Sequence, residues 1–307
     1  MSTFHRRKVA LATALLAGLS ACTPAQILNA TVPTSGLTVV HNVAYGDQPR
    51  QSLDIYRPRH AGPDAAGLPV VVFFYGGSWN SGSKAMYPFV AATLARTGAV
   101  VVVPDYRLYP AVKYPAFLRD CARAVKWVQA HPDETGAGPL FLMGHSAGAY
   151  NAMMLGLDPS WLRDAGADPT AVRGVIGLAG PYDFLPITDP AVKPIFPNAG
   201  PYTQPISYAN AASPALLLLA GNDDRQVRPR NSIALAERIN ATGGHAELKL
   251  YNGLGHIGLV TAIAPAFQWR APVLRDVVSF LRRTASPAPG NVQKRGGNET
   301  GFQRSQS

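Results

Sequence analysis

Eight short stretches of this chain carry a strand-like pattern of apolar positions, and they are of two kinds. The first two, LTVVHNVAYG (37–46) and QSLDIYRP (51–58), mix apolar with polar positions and flank the turn residues Asp47-Gln48-Pro49. That pattern predicts an antiparallel pair. The runs PVVVFFYGG (69–77), AVVVVPDY (99–106), PLFLMG (139–144), VRGVIGLAG (172–180) and ALLLLAG (215–221) are almost continuously apolar, and AELKLY (246–251) completes the series. Continuous apolar strands belong in sheets covered on both faces, as parallel sheets are. Between the strands lie stretches that predict helices at 88–96, 115–130, 147–157, 233–240 and 272–282. The second has Phe117, Cys121, Ala124, Val125 and Val128 on one helical face. Strands followed by alternating helices and strands predict one doubly wound α/β domain with a mainly parallel, eight-stranded sheet over 37–284. The segment 181–213 is Pro-rich, aromatic and too long for a simple connection, so it reads as an insertion at the rim of a site. Residues 285–307 are polar and rich in Gly, Gln and Ser, and predict a disordered tail.

Ligands in such sheets bind at the carboxyl ends of the strands. That rule filters the candidate residues. GHSAG (144–148) directly follows one apolar run, and it holds Ser146 between two glycines, where the backbone has no room for Cβ atoms. A serine hydroxyl needs a base to become a nucleophile. His256, in NGLGHIG after the last strand, lies at the correct end. His245 and His131 precede strands; the six residues of 246–251 put His245 about 20 Å from that end. His145 adjoins Ser146 but is expected to point away from it. Asp223 and Asp224 follow the strand at 215–221, and either could orient the histidine, with Asp183 as a further candidate. An oxyanion would be held by the N–H of Gly77 or Ser78 in YGGSW, together with that of Ala147 at a helix start. Trp79, Tyr150, Tyr182 and Phe184 are candidates to line a substrate pocket. Asp105 and Arg107 are expected to brace loops.

With 47% hydrophobic and 15% charged residues, the composition excludes a disordered chain. The net charge is +10, but its basic residues are scattered and no aromatic-interleaved basic patch occurs, so nucleic acid is not an expected partner. No His or Cys spacing suits a metal, and no cofactor is implied. The start, MSTFHRRKVALATALLAGLSAC, places three basic residues before an apolar run too short to span a bilayer, the layout of an export signal. Its end, Leu19-Ser20-Ala21-Cys22, resembles the lipobox of bacterial lipoproteins. The resemblance implies a signal peptide over 1–21, lipid on Cys22, a tether over 22–36 and a chain anchored in the cell envelope. Cys121, the only other cysteine, is then expected to be a buried, unpaired thiol.

Taken together, YGGSW, DYR (105–107), GHSAG, GNDDRQV (221–227) and GLGH (253–256) resemble the α/β-hydrolase superfamily over roughly 38–283. The likeness is greatest to bacterial carboxylesterases that group with feruloyl-esterase-like and kynurenine-formamidase-like enzymes. This resemblance implies Ser146 as nucleophile, Asp224 as acid and His256 as base. It also implies that Val227 turns into the core, and that the substrate is a small-molecule carboxylic ester cleaved through an acyl-enzyme. An amidase of the arylformamidase type, or a binding protein on a hydrolase scaffold, are the alternatives. One position departs from the family pattern: its oxyanion motif usually begins with His, and Tyr75 stands there.

Overall fold

The computed structural model describes residues 28–59 and 67–285. All eight expected strands form: β1 (Leu37–Ala44), β2 (Ser52–Pro58), β3 (Val70–Phe74), β4 (Val100–Pro104), β5 (Leu140–His145), β6 (Val172–Leu178), β7 (Ala215–Gly221) and β8 (Ala246–Tyr251). They make one sheet in the order β1-β2-β4-β3-β5-β6-β7-β8. β1 and β2 pair antiparallel, β2 joins β4 antiparallel, and every later pairing is parallel. Every residue of β3, β4 and β5 is buried. Side chains alternate between faces, so this burial means that helices cover the sheet on both sides.

The expected helices form as α1 (Pro88–Arg96), α2 (Ala116–Ala130), α4 (Ala147–Leu157), α6 (Arg230–Ala241) and α8 (Val273–Ala285). Three short ones accompany them: α3 (Pro132–Thr135), α5 (Ser160–Ala165) and α7 (His256–Thr261). Cys121 is buried on α2 as a free thiol, and burial pushes it well above its usual pKa. The architecture is the α/β-hydrolase fold.

The parallel strands bring the carboxyl ends of β3, β5, β6, β7 and β8 to one edge of the sheet, and the loops that leave them form the site. The long insertion after β6 is not a free loop. It contains 3-10 turns at Lys193–Ile195, Pro201–Thr203 and Pro205–Tyr208, and it buries Ile195 and Phe196. Phe196 packs edge-on against Trp79, Tyr150 and Phe117.

The chain start departs from the expected tether. Residues 28–36 lie against the domain: Leu28 and Val32 are buried, and the Asn29 side chain donates to Ala85 O (3.2 Å) and accepts from Phe89 N (3.0 Å). Two apolar side chains that a solvated tether would expose are taken up by the core instead. The expected signal peptide, Cys22 and the expected disordered tail beyond Ala285 lie outside the described residues. Among the described residues no helix is long and apolar enough to cross a membrane, and no three His, Cys, Asp or Glu side chains are placed to hold a metal.

Candidate active site

Ser146 sits at the turn from β5 into α4 with φ 55° and ψ −122°. A non-glycine residue there carries about 1–3 kcal/mol of backbone strain. Its N–H donates to Leu178 O at the end of β6 (2.8 Å), which holds the turn. The two flanking glycines are explained by packing. A Cβ on Gly144 would overlap the Gly148 carbonyl, and one on Gly148 would overlap the Phe74 carbonyl of β3. The helix can approach the sheet this closely only without those atoms.

The candidate base and acid arrive on neighbouring loops. His256 is the first residue of α7 and Asp224 lies in the turn after β7, and both are buried. The two loops are stitched together by the Asp223 N–H, which donates to Leu254 O (3.1 Å). They touch at Gly221, where a Cβ would overlap that same Leu254 carbonyl.

The Ser146 hydroxyl donates to His256 Nε2 (2.8 Å), and His256 Nδ1–H donates to Asp224 Oδ2 (2.8 Å). The other oxygen, Oδ1, accepts from the N–H groups of Gln226 and Val227 (2.9 Å each). Burial alone would raise the Asp224 pKa. The bonds from His256, Val227 and Gln226 outweigh it and hold the carboxyl below the usual carboxylate range. Asp223 is exposed, with no ion pair among the described residues. Asp183 is half-buried, and its N–H is bound by the Asn231 side chain (3.0 Å). The structure thus joins Asp224 to the histidine and leaves the other two candidates outside.

The loop after β3 has three consecutive positive φ angles: Gly77 at 135°, Ser78 at 49° and Trp79 at 57°. The Gly77 carbonyl accepts from Asn80 N, Ser81 N and the Ser81 hydroxyl, closing a tight turn. The N–H groups of Ser78, Trp79 and Ala147 have no acceptor among the described residues, and all three residues line the cleft with Ser146. Gly77 does not line it and serves the turn. Trp79, whose N–H stands in this set, is a donor candidate that the sequence reading assigned only to the pocket.

Tyr75 replaces the family's usual histidine with a different anchor. It is fully buried and stacks on Tyr106 and Tyr87 (ring centroids 4.6 and 6.1 Å). Its hydroxyl accepts from Arg50 Nη2 (2.6 Å), and the same guanidinium donates to Tyr106 O and Gly82 O (2.9 Å each). A cation from the β1–β2 hairpin thereby fixes the loop. Asp105 and Arg107 brace the loops at this end of the sheet, as expected: Asp105 accepts from Lys84 N (2.8 Å), and Arg107 grips the buried Asp120 of α2 with two bonds of 2.8 Å.

Of the four pocket candidates, Trp79 and Phe184 line the cleft, which has a volume of about 210 Å3. Tyr150 and Tyr182 are fully buried behind it. Tyr150 packs edge-on to Trp79 at 5.1 Å and donates to Thr203 O (2.8 Å). Tyr182 fills the space that a Cβ on Gly177 would need. Sequence spacing could not separate the two groups, because exposure of an aromatic near a rim depends on what the insertion covers. Sequence reasoning missed Ile187, Asp189, Val192 and Gln226 in the cleft wall. Val227 also lines the cleft and is half-buried rather than turned into the core.

His145 does not bond Ser146. It runs from the oxyanion loop to the base: Gly76 N–H donates to the Tyr87 hydroxyl, which donates to His145 Nδ1, while His145 Nε2–H donates to His256 O, each at 3.3 Å. Burial, reinforced by the neighbouring His256, lowers its pKa to about 3. The folded-state value is depressed below the ordinary value of about 6.5. Above pH 6.5 both folded and unfolded chains carry a neutral ring; between pH 6.5 and about 3 only the unfolded chain takes up the proton. Stability therefore falls with pH by about 1.4 kcal/mol per unit across that window. In denaturant titrations, wild type should lose about 2 kcal/mol more than His145→Gln between pH 7 and pH 5. Equal losses in the two proteins would refute the account.

The BD-FAE family model matches residues 53–239, well over half of the chain. The chain belongs to the BD-FAE family. The matched span of this BD-FAE protein includes Ser146 and Asp224 but stops before His256, which only the geometry above brings to Ser146. The chain is 27% identical over 248 residues to a probable isoprenylcysteine alpha-carbonyl methylesterase of Arabidopsis thaliana, covering 72% of this chain and 51% of the relative. It is 29% identical to esterase LipC of Mycobacterium tuberculosis, covering 70% and 58%. It is 34% identical to the kynurenine formamidase of Danio rerio, over 48% of this chain and 47% of that one. The chain thus spans about half of the plant relative's length. Among solved structures, esterase B of Lactobacillus rhamnosis superposes with a TM-score of 0.70 at 19% identity, covering 90% of this chain and 96% of the other. Apo esterase 2 of Thermogutta terrifontis gives 0.67 at 22%, covering 83% and 98%. At these identities the likeness to the BD-FAE chain is one of fold.

Proposed function

We propose that this BD-FAE protein is a serine carboxylesterase that works through an acyl-enzyme. The observation that carries the reading is the relay of two 2.8 Å hydrogen bonds, Ser146 to His256 to Asp224, at the floor of an open cleft. Ser146 Oγ attacks the ester carbonyl carbon while its proton passes to His256 Nε2. The carbonyl oxygen becomes an oxyanion facing the N–H of Ala147 and of Ser78 or Trp79. Collapse of this intermediate expels the alcohol, which takes its proton from His256. Water, deprotonated by the same nitrogen, then attacks the acyl group; the acid leaves and Ser146 is regenerated. Asp224, held as a carboxylate by three hydrogen bonds, keeps Nδ1 protonated and Nε2 free to accept. The esterase names of the relatives support the same reading.

The likeness to kynurenine formamidase favours a second reading, hydrolysis of N-formyl amides by the same residues. A panel of aryl esters and N-formyl arylamides separates the two, with esters expected to be faster. An organophosphonate ester should label Ser146 stoichiometrically. Absence of both label and turnover would leave a binding protein on a hydrolase scaffold.

The address of the chain is a separate proposal, supported by Leu19-Ser20-Ala21-Cys22. Processing before Cys22 and lipidation of its thiol would hold the catalytic domain at the cell-envelope membrane. Cys22→Ser should move the protein from the detergent phase to the aqueous phase in detergent partitioning. Unchanged partitioning would reject the anchor without touching the catalytic assignment.

A further inference from the structure

Adjoining the cleft at Ser146 is a second lobe of about 460 Å3. The two share Pro181, Phe184, Thr188, Gln226 and Val227 as walls. The lobe is lined in addition by Arg225, Arg228 and Arg230, and by no carboxylate. All three arginines are exposed, and none has an acidic partner within ion-pairing distance among the described residues. Arg230 reaches only the Asp183 carbonyl, at 3.4 Å.

Asp183 and Asp223 lie near these arginines in the chain or in space but make no ion pair with them among the described residues. Asp224 is held on His256, Asp189 Oδ1 accepts from Ala191 N (2.8 Å), and the first turn of α6 holds no acidic residue. Arg50, Lys84, Arg107, Lys249, Arg275 and Arg283, which do stand within 4.0 Å of a carboxylate, lie elsewhere. Three like charges on one wall, none with a carboxylate within 4.0 Å among the described residues, repel one another. Beside a cleft they raise the local concentration of an anion.

We infer that this lobe binds an anionic group of the substrate, and that the protein acts on esters whose acyl or alcohol part carries a carboxylate, sulfate or phosphate. The inference rests on the esterase reading above. Arginine suits the task because its planar fork meets two oxygens of such a group at once. The charge enters the lobe while the ester carbonyl lies at Ser146. Arg228 and Arg230 are then specificity-determining residues remote from the bond that breaks.

The test compares kcat/KM for two matched pairs of substrates. The 4-nitrophenyl monoester of glutaric acid against 4-nitrophenyl butyrate places the charge on the acyl side. Then 4-acetoxybenzoate against 4-acetoxybenzamide places it on the alcohol side. Wild type should favour the anionic member of at least one pair. That ratio should fall on the order of tenfold in R228Q/R230Q, as two weakened surface charge contacts would give, and survive in R228K/R230K. Arg225 is left intact because it lies between Asp224 and the two residues whose N–H groups hold that carboxylate. A wild-type ratio below one in both pairs, or a ratio unmoved in R228Q/R230Q, overturns the inference and leaves the esterase reading standing. If the Gln variant does not fold, the wild-type ratio decides: it should shrink as salt rises from ~20 to ~500 mM, and a constant ratio overturns the lobe. Failure to hydrolyse any of the four esters removes the esterase reading and the inference together.

Discussion

Replacing Ser146 or His256 by Ala should lower kcat on an activated aryl ester on the order of 10⁴–10⁶-fold, and the double variant should lose no more than the worse single one. The non-additivity is the informative part. Ser146 Oγ and His256 Nε2 share one hydrogen bond of 2.8 Å, so each is useless for nucleophilic attack without the other. Both variants should stay folded. Ser146→Ala removes one oxygen from a turn held by the bond from its N–H to Leu178 O, and His256→Ala leaves the backbone start of α7 in place. Residual turnover should persist above the uncatalysed rate, because the N–H of Ala147 and that of Ser78 or Trp79 remain to receive the oxyanion. Single variants that keep a tenth of wild-type kcat, or a double variant far below either, would break the assignment of these residues as one unit.

The second large effect separates two adjacent acids. Asp224→Asn should cost on the order of 10³–10⁴-fold in kcat, whereas Asp223→Asn should change kcat by less than about twofold. Asp224 accepts three hydrogen bonds, from His256 Nδ1 and from the N–H groups of Gln226 and Val227. An amide in its place can turn its oxygen to those N–H groups and present NH2 to Nδ1. That selects the imidazole tautomer with the proton on Nε2, where it cannot accept from Ser146. Asp223 points to solvent, and its contribution to the site is its N–H to Leu254 O, which Asn retains. A pH–rate profile adds a check. The Asp224 carboxyl is held below the usual carboxylate range, so its charge persists as pH falls through the range where exposed carboxylates protonate. Equal losses in the two variants would mean that the 2.8 Å contact does not orient the base.

The layout of the sheet was legible in the chain because it rests on local rules. Continuous apolar runs mark strands covered on both faces, and all eight expected strands formed, with the hairpin of β1 and β2 at the edge. Ser146 was legible because its neighbours Gly144 and Gly148 answer a steric demand that no other residue meets. His256 was legible from its place after β8, since a parallel sheet sends the carboxyl ends of its strands to one edge.

What the tertiary structure decided depends on groups far apart in sequence. Position in the chain left Asp183, Asp223 and Asp224 open, and the resemblance to a family favoured the last. The contact itself comes from the crossing of two loops at Gly221 and Leu254. Tyr150 and Tyr182 were indistinguishable from Trp79 and Phe184 until the fold buried the first pair behind the cleft. Arg50 gave no sign of a role, yet it anchors Tyr75 and the loop beyond it. Leu28 and Val32 read as part of a tether until a core was present to receive them. Periodicity and backbone sterics act between neighbours, so a sequence displays them; burial and hydrogen-bond partnership arise only when distant segments meet, so the fold must supply them.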